Sequence, residues 1–408
     1  MTNNNNKYSP ELRFPEFTDK WITKKLGEIT INKDSKRCPI SKTVRKKGIY
    51  PYYGANGIQD YVSDYIFDGE YLLVGEDGSV LTKENTPVIH WASGKFWVNN
   101  HAHVLSQKNG MSLKFISYVL STIKIEGRVT GIPPKLNQDS LHTILIPIPS
   151  SPIEQKKIAA CLSSLDIYLD TTKHKLELLK EYKKGLMQQL FPRNGKNVPE
   201  LRLPEFQNAP VWVYQALGSI GDTYGGLSGK SAEDFGKGKP YVTYKQVFTS
   251  IEIDFSNCSL VQIAQNEKQN KLQYGDILVT ISSETPEEIG YTALVTTKKI
   301  PECYLNSFCF IFRLFDKRKI DINFMIYLLS SDVYRKNVVR IAQGITRFNI
   351  SKTRYKEIEL PIPSSKVEQH KIAKLLSSID QQLTHYEEKI RSLELHKKGL
   401  TQRLFPKI

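Results

Sequence analysis

Seven cations, Lys33, Lys36, Arg37, Lys42, Arg45, Lys46 and Lys47, crowd into residues 33–47 beside the single acid Asp34, and PYYGANG follows at 51–57. Tyr52, Tyr53, Asn56 and Gln59 thus put flat rings and amide donor–acceptor pairs next to dense positive charge. Lys and Arg hold phosphates, Asn and Gln read an adenine edge, and Arg and Lys a guanine edge, so the pattern suits nucleic acid; it equally suits a solvated loop before a turn. A second cluster, Lys230, Lys237, Lys239, Tyr241, Thr243, Tyr244 and Lys245, lies in the glycine-rich stretch 225–247, where glycine lets backbone approach a phosphate closely. Arg128, Lys135 and Asn137 in GRVTGIPPKLN, and Arg340, Arg347 and Asn349 in RIAQGITRFN, form a third pair of candidates, for which a packed turn is the competing reading.

Catalytic patterns are missing. GLSGKS imitates a phosphate-binding loop, but the glycine that the motif requires six positions before its lysine is Tyr224. There is no G-x-S-x-G, H-E-x-x-H or G-x-G-x-x-G, and no Pro-Pro-aromatic methylation loop. His101 and His103 alternate as on a strand and are expected to face one side, yet no Cys or Glu ligand lies near them in sequence. Glu387 and Lys389 form an E-x-K triplet without partnering acids, on what reads as a solvated helix face. The five cysteines have neither C-x-x-C nor Cys/His spacing and are expected to be buried thiols, and no metal site is expected.

The elements that must position these groups come from a repeat. PELRFPEF at 10–17 returns as PELRLPEF at 199–206, PIPSSPIEQKKIA at 147–159 as PIPSSKVEQHKIA at 361–373, and KKGLMQQLFP at 183–192 as KKGLTQRLFP at 397–406. The chain is a tandem duplication in which two globular stretches have diverged while the segments around them were held alike. Ile158, Leu162, Leu165, Leu169, Thr172, Leu176, Leu179, Lys183, Leu186 and Leu190 follow a 4-3-4-3 spacing, as do Ile372, Leu376, Ile379, Leu383, Tyr386, Ile390, Leu393, Lys397, Leu400 and Leu404. That is a heptad seam on a long helix of about 58 Å. Ser151 with Glu154 and Ser365 with Glu368 fit a capping box, and Pro192 and Pro406 mark the ends. Each stripe needs cover, and the matching stripe is in the other copy, so an antiparallel two-helix coiled coil is expected, giving a pseudo-twofold dumbbell. Packing of each stripe on its own globular unit, or dimerisation between chains, is the alternative. Lys183 and Lys397 are expected to snorkel to water.

The fold class is α+β, with strands at 72–74, 276–281 and 309–314 and helices at 111–122 and 321–331. The expected domains are 1–150, a spacer helix 151–192, 193–363, and a second spacer helix 364–408. Lys and Arg number 57 against 42 Asp and Glu, a formal charge of +15, which favours a polyanion such as double-stranded DNA. No apolar run is long enough to span a membrane and the start MTNNNNKYSP is no secretion signal, so no membrane partner and a cytoplasmic location are expected.

The order and doubling of these blocks, together with Trp21 to Gly27 and Trp212 to Gly218 opening each variable stretch, resemble the DNA specificity subunit of type I restriction-modification enzymes. GANG at 54–57, DGEYLLVGEDG at 68–78 and YGDILVT at 274–280 also resemble segments of its target recognition domains. The resemblance covers essentially the whole chain. It implies a non-catalytic reader with two target recognition domains, each binding one half of a split site, and helices that space them and dock two modification subunits. It also implies restriction subunits in the complex, with S-adenosylmethionine, ATP and Mg held by the partners rather than by this chain. A free-standing DNA-binding regulator, or a nuclease with an unrecognised site, is the alternative.

Overall fold

A computed structural model describes residues 9–108 and 110–406. The chain folds as two compact units: residues up to 174 together with those from 386 onward, and residues 175–385. Both boundaries fall inside the long helices Pro152–Leu190 and Lys366–Leu404, so each unit contains part of each. The fold is α+β. Among the described residues no helix is long and apolar enough to cross a membrane.

In the first unit a six-stranded sheet runs in the order Thr30–Asn32, Ala102–Gln107, Phe67–Gly75, Ile89–Val98, Lys47–Gly54, Gly57–Val62. Its central strand is apolar on both faces, because each face is covered. Leu72 and Val74 join the core containing Ile158, Leu162 and Leu404, whereas Leu73 joins Phe67, Phe96 and Val104. The second unit repeats this logic on a four-stranded sheet ordered Gly221–Gly225, Cys309–Leu314, Ile277–Thr280, Thr292–Leu294. Ile277, Val279, Phe310 and Phe312 face the core that holds Leu186, Leu190, Ile372 and Leu376; Leu278, Cys309 and Ile311 face the opposite one. The helices read at 111–122 and 321–331 form at Leu113–Leu120 and Ile322–Leu328, capped by Ser112 and Asp321.

Every seam position of both long helices is buried or half-buried, while off-seam Ile167, Leu178, Tyr182 and Leu395 are exposed. Within the first unit the two helices run antiparallel: as one advances from Asp166 to Lys173, its neighbour falls back from Lys397 to Glu394. Lys183 and Lys397 correct the expectation of snorkelling. Lys397 pairs with Asp166, which also accepts a hydrogen bond from the Tyr118 hydroxyl at 2.6 Å. Lys183 pairs with Asp380, which accepts from Tyr327 at 2.8 Å. A carboxylate on the facing helix holds each ammonium, leaving the Lys183 side chain 16% and the Lys397 side chain 32% exposed. Burial, then the bond to the carboxylate, push both phenols well up.

The capping boxes also need correction. Ser151 and Ser365 accept from the Glu154 and Glu368 amides at 3.5 and 3.4 Å, but the two carboxylates do not return to the cap. Glu154, fully buried, takes a fork from Arg13 at 2.7 and 2.8 Å and a bond from the Trp21 indole at 3.3 Å. Glu368 takes the same fork from Arg202, at 2.8 Å twice, and a bond from Trp212 at 3.1 Å. A guanidinium with two parallel donors satisfies a buried carboxylate better than one amide can. The same PELR blocks reach the end of the other helix, through Leu12 N to Arg403 O and Leu201 N to Gln189 O, both 2.9 Å. Phe405 packs edge-on to Phe115 and Phe191 tilts against Phe324, each beside the indole of its unit. The held-alike blocks are thus one clamp built twice, joining the start of one long helix to the end of the other.

Of the cysteines only Cys303 and Cys309 are buried; Cys161 and Cys258 are half-buried and Cys38 exposed, which corrects the expectation for those three.

Candidate nucleic-acid interface

The basic segment of the first unit divides into cations already used and cations left over. Arg37 donates to Glu76 and to the carbonyls of Asn100 and Ala102, and lies 3.5 Å from Asp34. Glu76 also faces Lys135 at 3.3 Å. His103, buried on its strand, has Asp34 at 2.6 Å on one nitrogen and the Leu136 carbonyl at 2.8 Å on the other. Burial raises the Asp34 carboxyl, but the bonds from His103 and Asn32 outweigh it and leave the group below its usual range. Asp34, Glu76 and His103 lie within 4.8 Å of one another, the spacing of a metal site, yet Arg37 and Lys135 already supply the positive charge. His101 does not join them: it sits in an exposed turn and pairs with Asp77, so the expected same-side histidine pair does not form.

Tyr52 is 1% exposed and its hydroxyl bonds the Ile40 amide at 3.0 Å, with the Arg45 guanidinium 4.1 Å over its ring. It is a core residue and cannot meet a base, which corrects its place among the DNA contacts. Arg45 itself is held by Ile40 O at 3.0 Å and Asp60 at 3.4 Å. Tyr53 is half-buried edge-on to Phe96, and burial pushes its phenol up. Asn56 is exposed in the turn between two strands, and the exposed Gln59 accepts from Asn99 at 3.3 Å. Arg128 spends its guanidinium on Thr143 at 2.8 Å. Lys36, Lys42 and Lys46 stay exposed without an ion pair among the described residues.

The second unit divides likewise. Lys230 is nearly buried on Gln262 O at 2.6 Å and Glu267 at 2.5 Å, and its bond holds that carboxyl down at about 2. Lys239 and Lys271 do the same to Glu302, also at about 2. Gly226 is packed rather than poised for phosphate: a Cβ there would come 2.1 Å from Asn306 O. Tyr241 leans on Phe235, and Thr243 caps the helix Tyr244–Thr249. Lys237 and Lys245 are exposed without an ion pair among the described residues. Tyr244 and Arg347, from two separate sequence candidates, meet at a cavity of about 260 Å³ otherwise walled by Ser282, Ser283, Glu284, Glu288 and Phe308. Asn349 is exposed on the two-residue strand that pairs with Ser282–Ser283. The sequence reading passed over ISSETPEE because acidic residues carry no polyanion signal.

The family described as type I restriction modification DNA specificity domain matches residues 18–181 and again 211–395. The chain belongs to this family. Among relatives, the type I restriction enzyme MjaVIII specificity subunit of Methanocaldococcus jannaschii is 26% identical over 383 residues, covering 90% of this chain and 87% of that one. The specificity subunit S.HindORF215P of Haemophilus influenzae is 37% identical over 145 residues, 35% of this chain and 37% of that protein. The fold is that of the type I S subunit from M. genitalium, with a TM-score of 0.66 over 98% of this chain and 100% of that one at 20% identity. In this specificity subunit, then, the unpaired cations named above lie off the two sheets already described: Lys36, Lys42 and Lys46 on the segment between Asn32 and Lys47, Lys237 on the strand Phe235–Val242 and Lys245 on the helix Tyr244–Thr249.

Charge-removing variants should separate the two classes of cation. Lys42→Ala or Lys46→Ala should reduce the salt slope of DNA binding by about one if it neutralises a phosphate, leaving the melting temperature unchanged. Arg37→Ala should instead lower the melting temperature, since it takes from Glu76 one of its two cations and from the Asn100 and Ala102 carbonyls a shared donor. Titrations from low to moderate salt beside thermal melts read both; equal melting losses in all three variants would erase the distinction.

Proposed function

We propose that this chain is the non-catalytic reader of a type I restriction-modification complex, each unit recognising one half of a bipartite DNA site. The observation that carries the reading is the doubling itself: one clamp and one Lys–Asp–Tyr cluster occur twice, around sheets of different strand order and with different exposed cations. Two unlike surfaces on a common frame suit two unlike half-sites, and a fixed spacer reads the gap between them only as length. On this reading 1–150 and 193–363 are the target recognition domains, and 151–192 and 364–408 are the spacers that dock two modification subunits. Adenine methylation with S-adenosylmethionine, and ATP- and Mg-dependent translocation and cleavage, fall to the modification and restriction subunits, in the cytoplasm. Contacts to DNA come first from Lys36, Lys42, Lys46, Asn56 and Gln59 in one unit and from Lys237, Lys245, Arg347 and Asn349 in the other.

Replacing residues 207–359 by the corresponding stretch of another family member should change one half-site and leave the other intact. Genome-wide mapping of methylated adenines in cells carrying parent or chimera reads this directly. A change in both halves, or no methylation dependent on this chain, would sink the reading.

A further inference from the structure

The cavity at Tyr244 has a composition unlike a phosphate site. Two carboxylates, Glu284 and Glu288, stand at it against the one guanidinium of Arg347, and they would repel a phosphate. Glu288 is oriented by the Ser283 hydroxyl, which donates to it at 3.2 Å, while Glu284 is exposed and makes no ion pair or hydrogen bond among the described residues. Ser282 lines the same cavity; its residue is 7% exposed, and its Oγ is out of solvent without any hydrogen-bond partner. Buried hydroxyls are nearly always satisfied, so this one points to a group that arrives from outside. Phe308, 48% exposed, offers an apolar wall under the Arg347 guanidinium, 5.6 Å from its ring centre. Tyr244 stacks on Phe248 at the cavity wall, and burial pushes its phenol up.

We propose that this cavity reads the exocyclic amino group of one base in the half-site of the second unit, Glu284 accepting from the amino group and Ser282 bonding the neighbouring base-edge atom. Carboxylates discriminate by accepting from such an amino group, of which cytosine N4 is the best match and adenine N6 carries the same chemistry. The inference rests on the reading of the chain as a two-part DNA reader and deepens it to a position and a chemical group.

The test uses the full chain with its co-purifying subunits and selects binding sites from randomised duplexes. The parent should select a bipartite site. Glu284→Gln and Ser282→Ala, with unchanged melting temperatures, should lose roughly tenfold discrimination at one position of the second-unit half-site and none in the other half. Duplexes with pyrimidin-2-one for cytosine, or purine for adenine, at that position lack the amino group; the analogue that abolishes the difference between parent and Glu284→Gln identifies the base. Variants that keep the parent's preference at every position, or an analogue series in which neither substitution matters, overturn the cavity assignment alone. A parent that selects no sequence overturns the underlying reading as well.

Discussion

Arg13→Met should lower stability by about 3–5 kcal/mol, the cost of breaking a buried ion pair from one side. Glu154 is fully buried, and without the guanidinium its carboxylate keeps only the Trp21 indole at 3.3 Å. Arg202→Met should do the same through Glu368, which is 1% exposed. In a unit of this size each kcal/mol moves the melting temperature by about 2–4 °C, so the loss is readily seen. Two controls make the effect specific. Glu16→Ala opens the exposed pair with Lys157 in the same block and should leave the melt unmoved, because exposed pairs are screened by water. Arg13→Met combined with Glu154→Leu removes both charges and should recover much of the loss, because the uncompensated carboxylate is then gone. If Arg13→Met melts like the parent, the clamp does not hold the helix ends as described.

A seven-residue insertion between Asp166 and Lys183 should be the most damaging change to assembly that leaves every leucine in phase. Asp166 locks to Lys397 in the first unit and Lys183 to Asp380 in the second, and the two locks are 17 residues apart on both helices. One heptad adds about 10.5 Å to one helix while preserving its seam, so the two locks can no longer both close. The single insertion should depress the melt and abolish site-specific methylation. A matching heptad between Asp380 and Lys397 should restore stability and lengthen the preferred gap by about three base pairs, at 3.4 Å each. An unchanged melt and gap after the single insertion would refute the matched-length argument.

Much of this was legible because repeats and periodicity are local properties of a sequence. Spacing alone marked the seam from Ile158 to Leu190 and from Ile372 to Leu404, and the helices end where Pro192 and Pro406 required. The apolar runs at 72–74 and 276–281 marked strands covered on both faces. The reading failed where a charge had to be assigned a partner. Glu154 fitted a cap three residues away, but its partner Arg13 lies 141 positions off; Lys183 fitted a snorkelling lysine, but Asp380 lies 197 positions on.

What the sequence determined by itself was therefore the duplication, the two helical stripes, the α+β class and the family. Only the tertiary structure decided which members of the basic clusters are free. Arg37, Arg45, Lys135 and Lys230 are neutralised by acids brought in from elsewhere, Tyr52 is sealed in a core, and Tyr244 meets Arg347 beside acids that no charge count singled out. The reason is physical: hydrophobic period depends on neighbours within a few turns, whereas the state of a charge depends on whatever the folded chain places within a few ångströms of it.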